Sequence, residues 1–119
     1  MALIGKSVPK IDAWGKVTGE TLFPGDINRP DQAYMKILFA ERPHAVVRRV
    51  DTAVAESLPG VLAVLTAKDV PVNEYGLIMA DQPVLCGPGS SKAYTDRVRF
   101  IGDQVALVVA ESEAIAAEA

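Results

Sequence analysis

The sequence predicts an α+β domain, a mixed β-sheet carrying two to three short helices, and three observations lead to that class. Val105 to Val109 is an apolar run without a polar face, the pattern of a strand covered on both sides. Val98 and Phe100 alternate with Arg97 and Arg99, the period-2 signature of a strand with one wet face. Two helix starts accompany these strands: Asp51 ahead of Val54 and Leu58, which share a helical face, and Ser112 ahead of Glu113, Ile115 and Ala119.

In chain order, Met1 to Ala13 reads as an extended arm in which Pro9 blocks regular pairing, with Trp14 as the first large apolar anchor. Thr18 to Phe23 reads as a weak strand ended by Pro24-Gly25-Asp26, and Asn28-Arg29-Pro30-Asp31 as a turn. Tyr34 to Ala40 is the first strong strand, with Met35, Ile37 and Phe39 expected on its core face. A turn over Glu41 to His44 precedes Val46 and Val50, which alternate with Arg48; the short helix beginning near Asp51 then runs into the stop Pro59-Gly60. Val61 to Leu65 is expected to be a short buried strand. Thr66-Ala67-Lys68-Asp69 matches the [ST]-x-x-[DE] capping pattern of a further helical turn, which Pro71 ends.

From Val72 to Asp96 the composition shifts to Gly, Pro, Ser and Asn around one apolar island, Gln82-Pro83-Val84-Leu85, and predicts a long loop. Arg97 to Ile101 and Gln104 to Ala110 are the last strands, and the helix starting near Ser112 meets no Gly, Asn or Pro stop. The chain is therefore expected to be a C-terminally truncated piece of a longer protein, with residues 1–17 as an N-terminal arm and 18–119 as one domain incomplete at its last helix. Met1 to Ala13 and Gly87 to Lys92 are expected to be its most mobile parts.

Length and charge narrow the function. With 119 residues the chain holds one core, and 12 Lys and Arg against 15 Asp and Glu leave a formal charge of −3 with the signs interspersed. Nothing resembles the basic stripe that phosphate backbones select, so no nucleic-acid partner is expected. The single cysteine, Cys86, leaves no internal disulfide or cysteine-based cluster. No apolar run approaches the ~20 residues that span a bilayer, and Met1 to Ser7 lacks the apolar core of a signal peptide. The expectation is a cytoplasmic chain with no membrane partner.

Motifs that carry chemistry are few. Gly5-Lys6-Ser7 copies the end of a phosphate-binding loop, but no strand and no earlier glycine precede it, and a solvated stretch of the arm is the favoured reading. Cys86-Gly87-Pro88-Gly89-Ser90-Ser91-Lys92 is glycine-rich, yet Pro88 removes a donor amide and no helix follows, which favours a flexible loop tip. His44 has Glu41 and Asp51 at no ligand spacing and reads as a turn residue. Asp12, Asp26, Asp31 and Asp103 sit at turns, where carboxylates bond local amides, and they compose no acid/base pair. Cys86 would be reactive beside Lys92, but a cysteine next to Leu85 is more often an inert small hydrophobe. No residue is assigned as catalytic, cofactor-binding or metal-ligating.

Several segments in order nevertheless resemble one enzyme family. They are Ile4-Gly5-Lys6-Ser7-Val8-Pro9-Lys10-Ile11-Asp12-Ala13 with Lys16-Val17-Thr18-Gly19; Pro24-Gly25-Asp26-Ile27; Arg42-Pro43-His44-Ala45; Asp51-Thr52; the run from Leu58 to Pro71; and the stretch from Val98 to Glu111. Together they look like the N-terminal α/β-hammerhead domain of the molybdopterin-binding (large) subunit of the xanthine dehydrogenase and aldehyde oxidase family, the molybdenum hydroxylases. Val46 and the loop from Cys86 to Tyr94 depart from the family pattern.

That resemblance implies a parent oxidoreductase that hydroxylates an aldehyde or an N-heterocycle with oxygen from water. Its cofactors would be molybdenum-molybdopterin in the parent subunit, with iron-sulfur clusters and FAD on partner subunits. The family's glutamate base and pterin-binding glycine segments lie downstream of the hammerhead domain, so the resemblance assigns no cofactor and no site residue to this stretch. The remainder of the molybdopterin-binding subunit and the iron-sulfur and flavin subunits would be its partners, in the split bacterial arrangement. A different reading is a stand-alone protein-interaction module that shares the fold without an enzymatic role.

Overall fold

Gln104–Ala110 (β5) is the central strand of the larger sheet in the structure, a computed structural model that describes residues 3–119. β5 pairs antiparallel on one edge with Tyr34–Phe39 (β1) and on the other with Val61–Thr66 (β3), giving a sheet of order β1-β5-β3. A bulge interrupts the register at Leu38/Phe39 on one side and at Val61/Ala63 on the other. A second, two-stranded antiparallel sheet joins Ala45–Val46 (β2) to Arg97–Val98 (β4). The α+β class and the combination of small sheets with short helices are as the sequence implies, with every strand pair among the described residues antiparallel.

The contacts divide the chain into two units, Met1–Gln32 and Ala33–Ala119. In the first, Ala13–Thr18 is a helix (α1), and the expected strand at Thr18 to Phe23 does not form. Local polar spacing decides the matter: Lys16 Nζ donates to Asp12 Oδ2 one turn earlier at 2.5 Å, and Gly19 closes the helix with φ 79°. Trp14 is 72% exposed and anchors nothing in the described chain. The expected extended arm contains a turn, where Lys6 N–H donates to Leu3 O at 3.2 Å, and α1 straddles its expected end at residue 17. Met1 and Ala2, which open that arm, lie outside the described residues. Asp26 accepts from Phe23 N–H at 2.9 Å and folds Pro24–Asp26 into a 3-10 turn.

In the second unit, Ala53–Ser57 (α2) forms near its expected start but with Thr52 rather than Asp51 at the N-cap and no side-chain cap bond there, whereas Glu113–Glu118 (α3) forms behind the expected Ser112 cap. Ser112 Oγ accepts from Ile115 N–H at 3.2 Å, and Asp51 Oδ1 from Ala53 N–H at 3.3 Å. Val54 is exposed, and α2 turns Ala55 and Leu58 inward instead of the expected Val54 and Leu58 pair. The Pro59-Gly60 stop holds: Gly60 has φ +86°, a left-handed backbone that favours glycine, and a Cβ there would lie 2.7 Å from Ile115 Cδ1.

Three strand expectations change. Met35 and Phe39 are exposed and only Ile37 of the expected core face of β1 is half-buried, because β1 is an edge strand with one side covered. Val61–Thr66 is likewise an edge, open at Leu62 and Leu65, not a fully buried strand. Arg97 to Ile101 is a strand only over Arg97–Val98, since Asp103 Oδ2 accepts from the backbone N–H groups of Arg99 (2.5 Å) and Phe100 (3.3 Å) and curls the chain into a turn. Val98, with Leu85 and Cys86, ranks among the largest fully buried side chains of the described residues.

Candidate functional site

The loop from Val72 to Asp96 supplies much of this core. Asn73, itself buried, donates through Nδ2 to Leu85 O at 2.8 Å and accepts at Oδ1 from Leu85 N–H at 2.8 Å, so its carboxamide acts as a paired strand for one residue. Tyr75 and Gln82 close a bridge beyond it. Cys86 N–H then donates to Gln104 O at 2.6 Å, and Gly87 N–H to Thr95 O at 2.9 Å. Gly87 is buried, so the segment expected to be a flexible tip starts inside the packed unit. Nothing in the spacing of the sequence marks Asn73 for this duty.

The candidate residues do not converge. Gly5-Lys6-Ser7 lies at a turn, and the next helix begins only at Ala13. His44 is exposed beside β2, and Glu41 is exposed in the turn after β1, its backbone at φ 51°. Asp12 pairs with Lys10 and Lys16, Asp26 caps its own turn, Asp31 is exposed, and Asp103 accepts from the amides of Arg99 and Phe100. Lys92 pairs with Glu74 and bonds Ala80 O, leaving no bond to Cys86. Burial, reinforced by the negative charge of Asp103, pushes the Cys86 thiol up to about 11, which keeps it protonated near neutrality. The backbone and side-chain hydrogen bonds of Thr66 hold the Asp69 carboxyl below its ordinary range.

A cleft of ≈ 290 Å³ lies between the sheet and the two helices of the second unit, lined by Lys36, Leu38, Val64, Ala106, Val108 and Ala116 among others. Its charges are engaged: Lys36 Nζ meets Glu113 Oε1 at 3.1 Å, and Asp51 meets Arg49. Among the described residues no three His, Cys, Asp or Glu side chains are grouped to hold a metal ion. The cleft offers an apolar gap between layers, with no nucleophile and base in contact.

This arrangement coincides with a known domain. The model of the aldehyde oxidase and xanthine dehydrogenase a/b hammerhead domain matches residues 18–119. The chain belongs to that family. The hammerhead domain is 46% identical over 106 residues to a probable xanthine dehydrogenase subunit of Bacillus subtilis (strain 168), a match over 88% of this chain and 13% of that protein. It is 33% identical to the nicotinate dehydrogenase large molybdopterin subunit of Eubacterium barkeri, over 98% of this chain and 26% of that one. Among solved structures it resembles CO dehydrogenase from Oligotropha carboxidovorans with a TM-score of 0.79 at 27% identity, covering 96% of this chain and 14% of the other. The chain thus spans about an eighth to a quarter of the length of these relatives. No helix among the described residues is long and apolar enough to cross a membrane.

Proposed function

We propose that this hammerhead domain is a non-catalytic structural and assembly domain at the N-terminal side of the molybdopterin-binding subunit of a molybdenum hydroxylase. The match of residues 18–119 to the family carries the reading, and the dispersal of its titratable groups supports the non-catalytic role. The parent enzyme would hydroxylate an aldehyde or an N-heterocycle with oxygen from water, in the cytoplasm. Molybdenum-molybdopterin would be held by the rest of the subunit, and electrons would leave through iron-sulfur clusters and FAD on partner subunits. This chain supplies no catalytic, cofactor-binding or metal-ligating residue to that chemistry. Its part is to pack against the remaining polypeptide and hold the cofactor-bearing regions in place.

Molybdenum analysis and a dye-reduction assay test the proposal on two preparations. The parent subunit assembled with its partners is expected to contain molybdopterin and to reduce dye with an aldehyde or purine. The purified 119-residue chain is expected to do neither. Stoichiometric molybdenum in the short chain, or an assembled parent without molybdopterin, would overturn the corresponding half of the reading.

A further inference from the structure

The loop from Val72 to Asp96 contains a hairpin whose base and tip are held by different means. At the base, the buried Asn73 carboxamide clamps Leu85 through two bonds of 2.8 Å. Next to it Tyr75 N–H donates to Gln82 O at 2.8 Å and Gln82 N–H to Tyr75 O at 3.1 Å. Paired backbone groups and a polar clamp kept from water make this base rigid.

The tip, residues 76–81, has no such anchor. Leu77 is 106% and Ile78 97% exposed, so neither side chain packs on the domain. Asp81 N–H donates to Met79 O at 3.0 Å, a bond within the tip itself. Among the described residues, the hydrogen bond that reaches the tip from outside the hairpin comes from Lys92, whose Nζ donates to Ala80 O and pairs with the Glu74 carboxylate. Lys92 also lines a cleft of ≈ 410 Å³, where Tyr94 and Arg99 stand with it opposite Met79, Ala80 and Asp81 of the tip. The tip is folded back tightly, since a Cβ on Gly76 would lie 1.7 Å from Met79 O and would force the two apart.

The strength of the two ties differs. The side chains of Lys92 and Glu74 are 34% and 38% exposed, and a pair so placed holds weakly, because two flexible side chains lose entropy in return for a screened attraction. The base keeps its buried bonds when that pair breaks.

We propose that Lys92 is a strap that holds the tip 76–81 closed along the cleft, and that its release lets the tip swing about the Tyr75 and Gln82 bridge and widens the cleft while the core stays intact. The Asn73 clamp stands between tip and core, so the motion stops before Leu85. Screening by salt loosens the strap, and any side chain that keeps a positive charge and a donor at position 92 preserves it.

Limited chymotrypsin digestion of the full-length subunit, with cleavage after Leu77 and Met79 followed by mass spectrometry, tests the strap. Lys92→Met keeps the length of the side chain and removes its charge, and cleavage is expected to accelerate about three- to fivefold. Gly76→Ala is expected to accelerate it at least as much, by pushing the tip off Met79 O. Lys92→Arg is expected to stay near the unsubstituted rate. Added salt is expected to bring the unsubstituted subunit toward the Lys92→Met rate and to leave Lys92→Met unchanged, both measured relative to a free peptide of the same sequence. Amide exchange at Leu85 and across β5 is expected to be the same in every variant. Equal cleavage of Lys92→Met and the unsubstituted subunit overturns the inference. Acceleration accompanied by faster exchange at Leu85 and in β5 overturns it in favour of a general loss of stability, and a tip that resists cleavage in both Lys92→Met and Gly76→Ala overturns it by showing that other contacts hold it.

Discussion

Strand β5 and the loop from Val72 to Asp96 bury their residues by opposite means. In β5, Ala106 and Ala110 are buried because backbone pairing on both edges over Ala106–Ala110 satisfies the main chain there and lets an apolar run sit in the middle. The loop has no such ladder, yet Leu85 is 0% exposed. One side chain, Asn73, replaces the missing strand partner for that residue. Burial therefore follows from satisfied backbone polar groups, whether a strand or a single carboxamide satisfies them.

The largest effect that would break this comparison is truncation of Leu85. If the loop belongs to the core, Leu85→Ala is expected to cost about 2–5 kcal/mol in urea unfolding, the range for a buried leucine. A cost near zero would return the loop to the surface. Asn73→Ala tests the cause: it strands the buried N–H and C=O of Leu85 and is expected to cost about 2–4 kcal/mol, with amide exchange at Leu85 accelerating ahead of that in β5. Equal protection of Leu85 in the variant would show that neighbouring contacts, not the carboxamide, hold the loop.

Smaller changes sharpen the contrast from the side of local structure. Ser112→Ala removes the acceptor for Ile115 N–H and is expected to cost about 1 kcal/mol, visible as a lowered unfolding midpoint. Asp69 tests the 3-10 turn that leads into the loop. Its carboxyl is depressed by the hydrogen bonds from Thr66, so its contribution is present above the unfolded-state value and is lost as pH falls through the lower folded value. The carboxylate is exposed, and the effect is expected to be the smallest of the four. A stability profile that falls between neutrality and about pH 3 less steeply in Asp69→Asn than in the unsubstituted protein is the expected outcome, and superimposable profiles would remove Asp69 from the account.

The same division runs through what could be read in advance. Elements specified within a few residues of themselves were legible: the caps at Ser112 and at Thr66 with Asp69, the Pro59-Gly60 stop, and the apolar run of β5. Misreadings arose where two signals competed locally. Thr18 to Phe23 reads as a weak strand, but the Asp12 and Lys16 pair and Gly19 favour a helix over Ala13–Thr18. In residues 97–101 the alternation was real, but the carboxylate of Asp103 drew the backbone of Arg99 and Phe100 into a turn. The candidate chemistry was legible mainly as scattered groups, since His44, Cys86 and the turn carboxylates each have local duties or none.

By itself the sequence determined the α+β class, the order of the main strands and helix starts, and the family, because these rest on periodicity, caps and ordered segments that are local in the chain. Tertiary structure alone decided which faces are covered. Whether Met35 or Leu65 is core depends on β1 and β3 standing at the edges of β5, and whether Leu85 is buried depends on a side chain 12 residues earlier meeting its backbone. An apolar residue carries the same free energy of transfer wherever it stands, and only the chain folded around it settles whether water is excluded.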